Sequence, residues 1–542
     1  MEFNTLLMWI VGANCGMLLL RSVAARRWTG WATVALAIML SMAAAWLIVP
    51  QRVGWVTAIP WTLFVLLPML GNGLLGWLVA RHRYRTAYLA SQLFAWLHPF
   101  DGGWNLPRFV QALEYTFHGD LEQSRRLLSP IAHDRSALSN LARVLEYRLE
   151  GRWDELLSWI QHEAREQPLR DPLLIDGYLQ ALGETGRRHE LLHEYQRIVL
   201  QEQRVDDAFQ TNLIRMRVVA FCGEVAITEK LLAGPLSRLA ADTRQFWLST
   251  ALQAAGQADQ ARVQFEQLAS GPDRQLARRA QLRLEQPLTV VAAERTPEEL
   301  AVLNELARTI GHETHYAVMS STTRRQTPMT WLLILTLLAV FCLEIPGGAT
   351  DELNLFELGA LIVPTSLTPG EYDRYVLAAF LHFGWLHLLM NMFGLLWFGG
   401  RLERAWGGLP MLCCYLLTAI GSIVLFPMEL SVLRSWGWAG NDISILVGAS
   451  GGVLGLIGGL TGHLLVGLLS GRSALVWREF GILALIVTLQ TVFDLNTPAV
   501  SALVHTNGLI LGIVIGLVVG LSTRHRSRLS PARDVPTSPD VP

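Results

Sequence analysis

Apolar runs occupy residues near 5–20, 31–49 and 58–80, disappear for about 250 residues, and return as six runs after Trp331. The later six fall at approximately 331–345, 377–398, 411–426, 443–469, 480–493 and 503–521. About 20 consecutive apolar residues cross a ~30 Å hydrocarbon core as a helix, so the pattern predicts three membrane helices, a hydrophilic middle, and six more membrane helices. Within the middle, apolar residues recur at three and four spacing among strong helix formers, which predicts amphipathic helices. The expected fold class is all-α: a polytopic membrane protein with a soluble helical domain between two membrane regions.

The middle carries an internal repeat. Gly119, Gly151, Gly186, Gly223 and Gly256 stand 32, 35, 37 and 33 residues apart, each after one apolar helical stretch and before the next. Glycine permits a tight turn between paired helices, and the period resembles tetratricopeptide-like hairpins, which implies an array offering a groove to a protein partner. The expected boundaries are three N-terminal membrane helices over 1–85, the repeat domain over 86–285 and a linker over 286–328. A six-helix membrane domain follows over 329–523, then a flexible tail rich in Arg, Pro and Ser over 524–542.

Composition and charge narrow the picture. With 51% hydrophobic and 16% charged residues among 542, the chain is too apolar for an ordinary soluble protein. A formal net charge of −1 without a basic block gives no reason for a nucleic-acid partner. Cys15, Cys222, Cys342, Cys413 and Cys414 show no C-x-x-C spacing, so neither a zinc site nor a disulfide framework is expected, and no motif calls for a cofactor. Cytoplasmic loops near helix ends are enriched in basic residues. Arg21, Arg26 and Arg27 follow the first run, Arg81, Arg83 and Arg85 the third, and Arg324 and Arg325 precede the fourth. Arg401 and Arg404 follow the fifth, Arg472 and Arg478 separate the seventh and eighth, and Arg524, Arg526 and Arg528 follow the ninth. All land on one side if the N-terminus is extracytoplasmic and the repeats and C-terminus are cytoplasmic. The first run, from about Thr5, has no basic segment before it and no small-residue cleavage site, so it reads as a retained helix. Without an organelle-targeting segment, the expected home is a bacterial plasma membrane; the single lysine, Lys230, is a compositional bias that does not identify the source.

Chemistry concentrates in the last six runs. Gly448-Ala449-Ser450-Gly451 puts a hydroxyl inside the apolar stretch 443–469, where an unpaired polar group is costly. Counted from the start of that run, Ser450 lies about seven residues in, roughly 10 Å deep at 1.5 Å per residue. His505 lies near the start of the last run on the same face of the membrane, and imidazole exchanges a proton near neutral pH, as a general base must. Gly508, Gly512, Gly516 and Gly520 form a smooth stripe beside it, matched by Gly451, Gly455 and Gly459 on the serine run. Such stripes let membrane helices approach until their backbones touch. His387 and Asn391, four residues apart in the fifth run, share a helix face and can both donate hydrogen bonds to an oxyanion.

Taken together, Gly448-Ala449-Ser450-Gly451, His505 with Gly508 and Gly512, His387 with Asn391, and Gly399-Gly400-Arg401-Leu402-Glu403 with Gly407 resemble the six-helix core of the rhomboid intramembrane serine proteases. The resemblance covers about residues 329–523. It implies a Ser450–His505 dyad without a third acid, and an oxyanion hole from His387, Asn391 and the Ser450 backbone N–H. It also implies cleavage of transmembrane protein substrates within the lipid bilayer, near its extracytoplasmic face. Arg374 matches the family's Trp-Arg pair, but Asp373 stands in place of the tryptophan. Leu454 stands where the family tends to carry an aromatic that stacks on the histidine.

Three decoys are set aside. Gly448 to Gly452 satisfies G-x-S-x-G, with Asp494 and His505 following in the order of α/β-hydrolases, but those need a strand-to-helix elbow in a soluble sheet. Asp494 therefore reads as a loop carboxylate at a helix end, with a place beside His505 as the alternative. His312-Glu313-Thr314-His315 has its histidines three apart where H-E-x-x-H needs four, and reads as a solvated helix face. The glycines from Gly455 to Gly462 lack the Lys-Ser or Lys-Thr of a phosphate loop. The rival to a protease is a rhomboid-like scaffold that binds transmembrane clients and cytoplasmic partners without cutting.

Overall fold

A computed structural model describes residues 3–529 apart from 25–27, 135–137, 167–168, 170, 202–207, 289–294, 318–325, 364–370, 437–443, 472 and 496–501. Arg26, Arg27, Arg324, Arg325 and Arg472, used above for orientation, lie outside the described residues, as does the tail from 530. Apolar helices stand at the nine expected places. Six are long and apolar enough to cross a membrane, Arg374–Phe380 with Gly384–Trp406 makes a seventh if read as one bent span, and Leu7–Val23 and Pro328–Glu344 are shorter. The chain forms two compact units, Met1–Ala307 and Arg308–Pro542.

The first unit opens with the helices Phe3–Ala24 and Gly30–Ile48 and the long span Pro50–Ala80. Pro60 removes a backbone donor from the long span, and a π-helical turn, Thr62–Leu66, follows it. Polar side chains tie the bundle: Asn4 Oδ1 accepts from Gly54 N at 2.9 Å, and Trp61 Nε1 donates to Asn14 Oδ1 at 3.0 Å. Five helix pairs follow, turning at Gly119, Gly151, Gly186, Gly223 and Gly256. Each glycine is left-handed, with φ of 84°, 69°, 73°, 72° and 81°. Each turn closes alike, through Asp120 N to Tyr115 O, Arg152 N to Tyr147 O, Arg187 N to Leu182 O, Glu224 N to Val219 O and Gln257 N to Leu252 O. This 6→1 bond satisfies carbonyls that the ending helix orphans, which explains the glycine period. Buried charge links successive pairs: Asp176 accepts from Arg148 at 2.9 Å and from Arg217. Burial alone would raise the Asp176 carboxyl, but the two guanidiniums hold it below its ordinary range.

In the second unit the membrane helices are α1 (Pro328–Glu344), α2 (Gly384–Trp406), α3 (Gly408–Ser435), α4 (Ser450–Ser470), α5 (Ala474–Leu495) and α6 (Ala502–Leu529). Helix α4 is central: 78% of its apolar window is buried inside the protein, against 17% for α5. Glycine makes that burial possible. A Cβ on Gly508, Gly512 or Gly516 would stand 2.2, 2.0 or 2.2 Å from the carbonyl oxygens of Gly451, Gly455 and Gly459, so α4 and α6 touch backbone to backbone. The pairs advance by four along both helices, so the two run parallel.

Glu403, at the end of α2, anchors the start of α1 by accepting from Met329 N at 2.9 Å, Thr330 N at 2.8 Å and Thr330 Oγ1 at 2.6 Å. Glu403→Ala orphans three donors, the two of Thr330 buried, and is expected to cost about 2–3 kcal/mol. Thermal unfolding in detergent checks this, and a midpoint equal to the parent's refutes it. Arg374 clamps the loop after α1, donating to Phe356 O at 2.7 Å and Ala360 O at 3.0 Å with its guanidinium over the Phe356 ring.

Four expectations are corrected here. The stretch 286–328 is not only linker, since Pro297–Tyr316 is a 20-residue helix. Its His312-Glu313-Thr314-His315 segment is not a solvated face. Glu313 is buried and accepts from Ser473 Oγ at 2.7 Å, His312 Nε2 lies 3.0 Å from Gly467 O, and His315 O lies 3.1 Å from His463 Nε2. Tyr316 packs on Gly467, so an apolar face turned toward α4 carries these polar neighbours inward with it. The tail begins later than expected, because α6 continues to Leu529. Finally, the run 443–469 is not one helix, as described next.

Candidate active site

Ser450 stands at the first position of α4, and its depth does not come from seven residues of helical rise. Before it, Ser444–Leu446 (β2) pairs antiparallel with Leu361–Val363 (β1), in the register Leu361 to Leu446, Ile362 to Ile445 and Val363 to Ser444. Extended backbone at membrane depth is tolerated only where its polar groups are paired within protein, and this two-stranded ladder pairs them. Gly448 then donates its N–H to Ala378 O at 2.9 Å and takes φ +152°, a conformation that side chains rarely adopt. The helix starts immediately afterwards. As its first residue, Ser450 has a backbone N–H with no intrahelical carbonyl to meet.

The α4–α6 register decides what Ser450 faces. Continued toward the N-termini at the same offset, the glycine pairing sets His505 level with Gly448. His505 Nε2 lies 2.9 Å from Ser450 Oγ. Ser450 sits beside the glycine stripe, and from the first turn its short side chain reaches the imidazole.

Asp494 departs from the expected loop carboxylate. It is the penultimate residue of α5, is buried at 7% exposure, and its Oδ2 lies 2.8 Å from His505 Nδ1. Its Oδ1 accepts from Gln490 Nε2 at 2.7 Å. Asp494 and Ser450 thus face the two ring nitrogens of His505. The sequence held the acid and the order; it did not show that the end of α5 turns the carboxylate onto the imidazole. With Nδ1 facing a carboxylate, the imidazole proton belongs on Nδ1, leaving Nε2 free to accept from the Ser450 hydroxyl.

Helix α2 supplies the other two polar residues. The bend before it is sharp, 85° between Arg374–Phe380 and Gly384–Trp406, and Gly384 takes φ +84° there. The expected span at 377–398 thus begins as a separate short helix. His387 Nδ1 accepts from Phe383 N at 3.3 Å, which puts the proton of a neutral ring on Nε2 as a donor. A Cβ on Gly448 would lie 3.4 Å from His387 Cε1 and 3.1 Å from Ser450 Oγ, so this glycine lets the imidazole stand close to the serine. Asn391 is buried, and its Nδ2 has no hydrogen-bond partner among the described residues. A buried amide donor without an acceptor is costly in the resting protein.

Leu454, one turn below the serine, is buried, and among the described residues no aromatic ring stacks on His505. The five cysteines are free. Among the described residues no cluster of three or more His, Cys, Asp or Glu could hold a metal ion. One polar pair escaped the sequence reading: Asn507 Nδ2 donates to Glu429 Oε2 at 2.7 Å, tying α6 to α3.

Residues 369–522 match the family model described as Rhomboid domain. The chain is 35% identical over 122 residues to RHOMBOID-like protein 6, mitochondrial, of Arabidopsis thaliana, covering 22% of this chain and 36% of that protein. It is 33% identical over 135 residues to the Rhomboid protease AarA of Providencia stuartii, covering 24% of this chain and 48% of that protein. RHOMBOID-like protein 4 of Arabidopsis thaliana is 35% identical over 123 residues, covering 23% of this chain and 28% of that protein. The chain thus spans between about a quarter and a half of the length of the curated relatives it matches.

Proposed function

We propose that this integral membrane protein is an intramembrane serine endopeptidase that cuts transmembrane segments of other proteins near the extracytoplasmic face. The observation that carries the reading is the 2.9 Å approach of Ser450 Oγ to His505 Nε2 across a helix contact that only glycines permit. Ser450 Oγ attacks the scissile carbonyl carbon while its proton passes to His505 Nε2. The carbonyl oxygen becomes an oxyanion and accepts from the Ser450 N–H, His387 Nε2 and Asn391 Nδ2. Collapse of this intermediate breaks the C–N bond, and His505 returns the proton to the leaving amine. Water then repeats the sequence on the acyl-enzyme, releasing the second product and restoring the serine. Rhomboid domain and relatives named as proteases support the class of reaction.

The test is purified protein in liposomes with a dye-labelled single-span substrate, alongside labelling by a fluorophosphonate probe. Two substrate fragments and a probe adduct on Ser450 are expected; an intact substrate and no adduct overturn the reading.

Asn391→Ala is expected to lower kcat by about a hundredfold, because an oxyanion donor acts where charge develops. Removing an orphan donor should leave the unfolding midpoint at or above the parent's. Initial rates and thermal melts together check this, and a parental rate removes Asn391 from the oxyanion hole. The arginine pattern supports an extracytoplasmic site with a cytoplasmic repeat unit, whose glycine-hinged pairs suit a protein partner. A reporter fused within residues 100–280 is expected to read cytoplasmic; an external signal reverses this topology.

A further inference from the structure

We infer that residues 89–104, at the base of the repeat unit, are an interfacial membrane anchor that seats exposed aromatic side chains among lipid headgroups, whatever reaction the second unit performs. The span Pro50–Ala80 has 31 residues, about 46 Å at 1.5 Å per residue, and overshoots a ~30 Å hydrocarbon core by about half its thickness. Asn4 accepts from Gly54 N, which pins the start of the span beside the start of the first helix, so the excess emerges at the Ala80 end. There the chain reverses at His82, left-handed at φ 56°, and Arg83 N closes the turn on Leu78 O at 2.9 Å. Helix Tyr84–Leu97 runs back along the emerged turns. A Cβ on Gly71 would meet the Phe94 ring at 2.3 Å, and Ala87 clusters with Leu75 and Leu78. The return ends at the membrane boundary: His98 stacks on Trp31, in the first turn of the span Gly30–Ile48, with ring centroids 4.1 Å apart.

The outer face of this helix suits a bilayer surface. Arg85, Leu89, Leu93 and Trp96 are exposed at spacings of three and four, and Phe100 and Trp104 continue the stripe in the turn Phe100–Asn105. Trp96 and Trp104 are 67% and 62% exposed at the level where Trp31 begins its span. An indole has an apolar body and one polar N–H, which places it at the headgroup boundary, and interfacial helices pair such a face with basic residues. Lipid, rather than a second chain, is the occupant because the stripe runs directly onto the lipid-facing start of a membrane helix, flanked there by the exposed Trp28. Helix Leu106–His118 follows the turn at once, so the anchor fixes where the repeats leave the membrane.

The experiment uses the full chain in phosphatidylcholine liposomes, with the exposed thiols removed by Cys342→Ser and Cys413→Ser. Trp96→Cys and Trp104→Cys each carry the environment-sensitive dye NBD. Leu40→Cys, exposed in the middle of a membrane helix, and Arg126→Cys, exposed on the repeats, are the references. Lipid bearing a doxyl group near its headgroup is expected to quench the dyes at 96 and 104 at least about twofold more than at 126, and aqueous iodide at least about twofold less. Iodide quenching equal to that at 126, without quenching by lipid, overturns the anchor. Shielding from both quenchers assigns the face to a second copy or another protein and overturns it too. The unmodified chain gives a check that no substitution can disturb. A photoactivatable phosphatidylcholine is expected to leave adducts on peptides covering 89–104; adducts confined to the membrane spans overturn the inference.

Discussion

Ser450→Ala and His505→Ala are each expected to lower kcat on a single-span substrate by at least about a thousandfold, and the double variant by no more than either single one. The physical reason is that nucleophile and base act as one unit. Without Nε2 at 2.9 Å the hydroxyl keeps its proton, and without the hydroxyl the base has nothing to deprotonate. Residual cleavage comes from the oxyanion donors alone. Both variants should fold, since Ala fills the serine site without strain and the α4–α6 contact is made by other residues. Turnover by proteoliposomes measures the effect, and cleavage surviving Ser450→Ala would assign the chemistry to another residue.

A second large effect is expected far from any reacting atom. In Gly512→Val the new Cβ would stand 2.0 Å from the Gly455 carbonyl oxygen and 2.9 Å from its Cα, closer than real contacts allow, and the obstacle is backbone that cannot rotate away. Helices α4 and α6 must separate by an ångström or more. Overpacking of this kind costs about 3 kcal/mol or more, and the separation pulls His505 from Ser450, so kcat should fall by about a hundredfold even in the fraction that folds. Gly481→Ala is the control, because nothing lies within 4 Å of a Cβ at that position on α5. If Gly512→Val melts and cleaves like the parent, the glycine contact does not hold the site together.

Much of this architecture is legible in the sequence. Membrane spans are read from apolar length, which is a property of consecutive residues, and apolar helices stand at all nine expected places. The glycine period was legible for a similar reason, since each turn needs one left-handed residue at one position. The Ser450 and His505 pairing followed from two glycine stripes, each visible along a single helix. What the sequence leaves open arises where distant segments act on one another. The start of α4 at Ser450 depends on β1, some 80 residues earlier, pairing with β2. The inward turn of Glu313 depends on Ser473, 160 residues later.

Asp494 shows the boundary between the two kinds of knowledge. The sequence by itself determined that an acid, a serine and a histidine lie in apolar surroundings, that glycine lets two helices touch, and that the chain spans a membrane. Those follow from the side chains and from the local periodicity of the backbone. Only the tertiary structure decided that the end of α5 brings Oδ2 of Asp494 to Nδ1 of His505, that Ser450 begins its helix, and that the Asn391 donor is left without an acceptor. Hydrogen bonds are short-ranged and directional, so they depend on the relative placement of helices that no local pattern encodes.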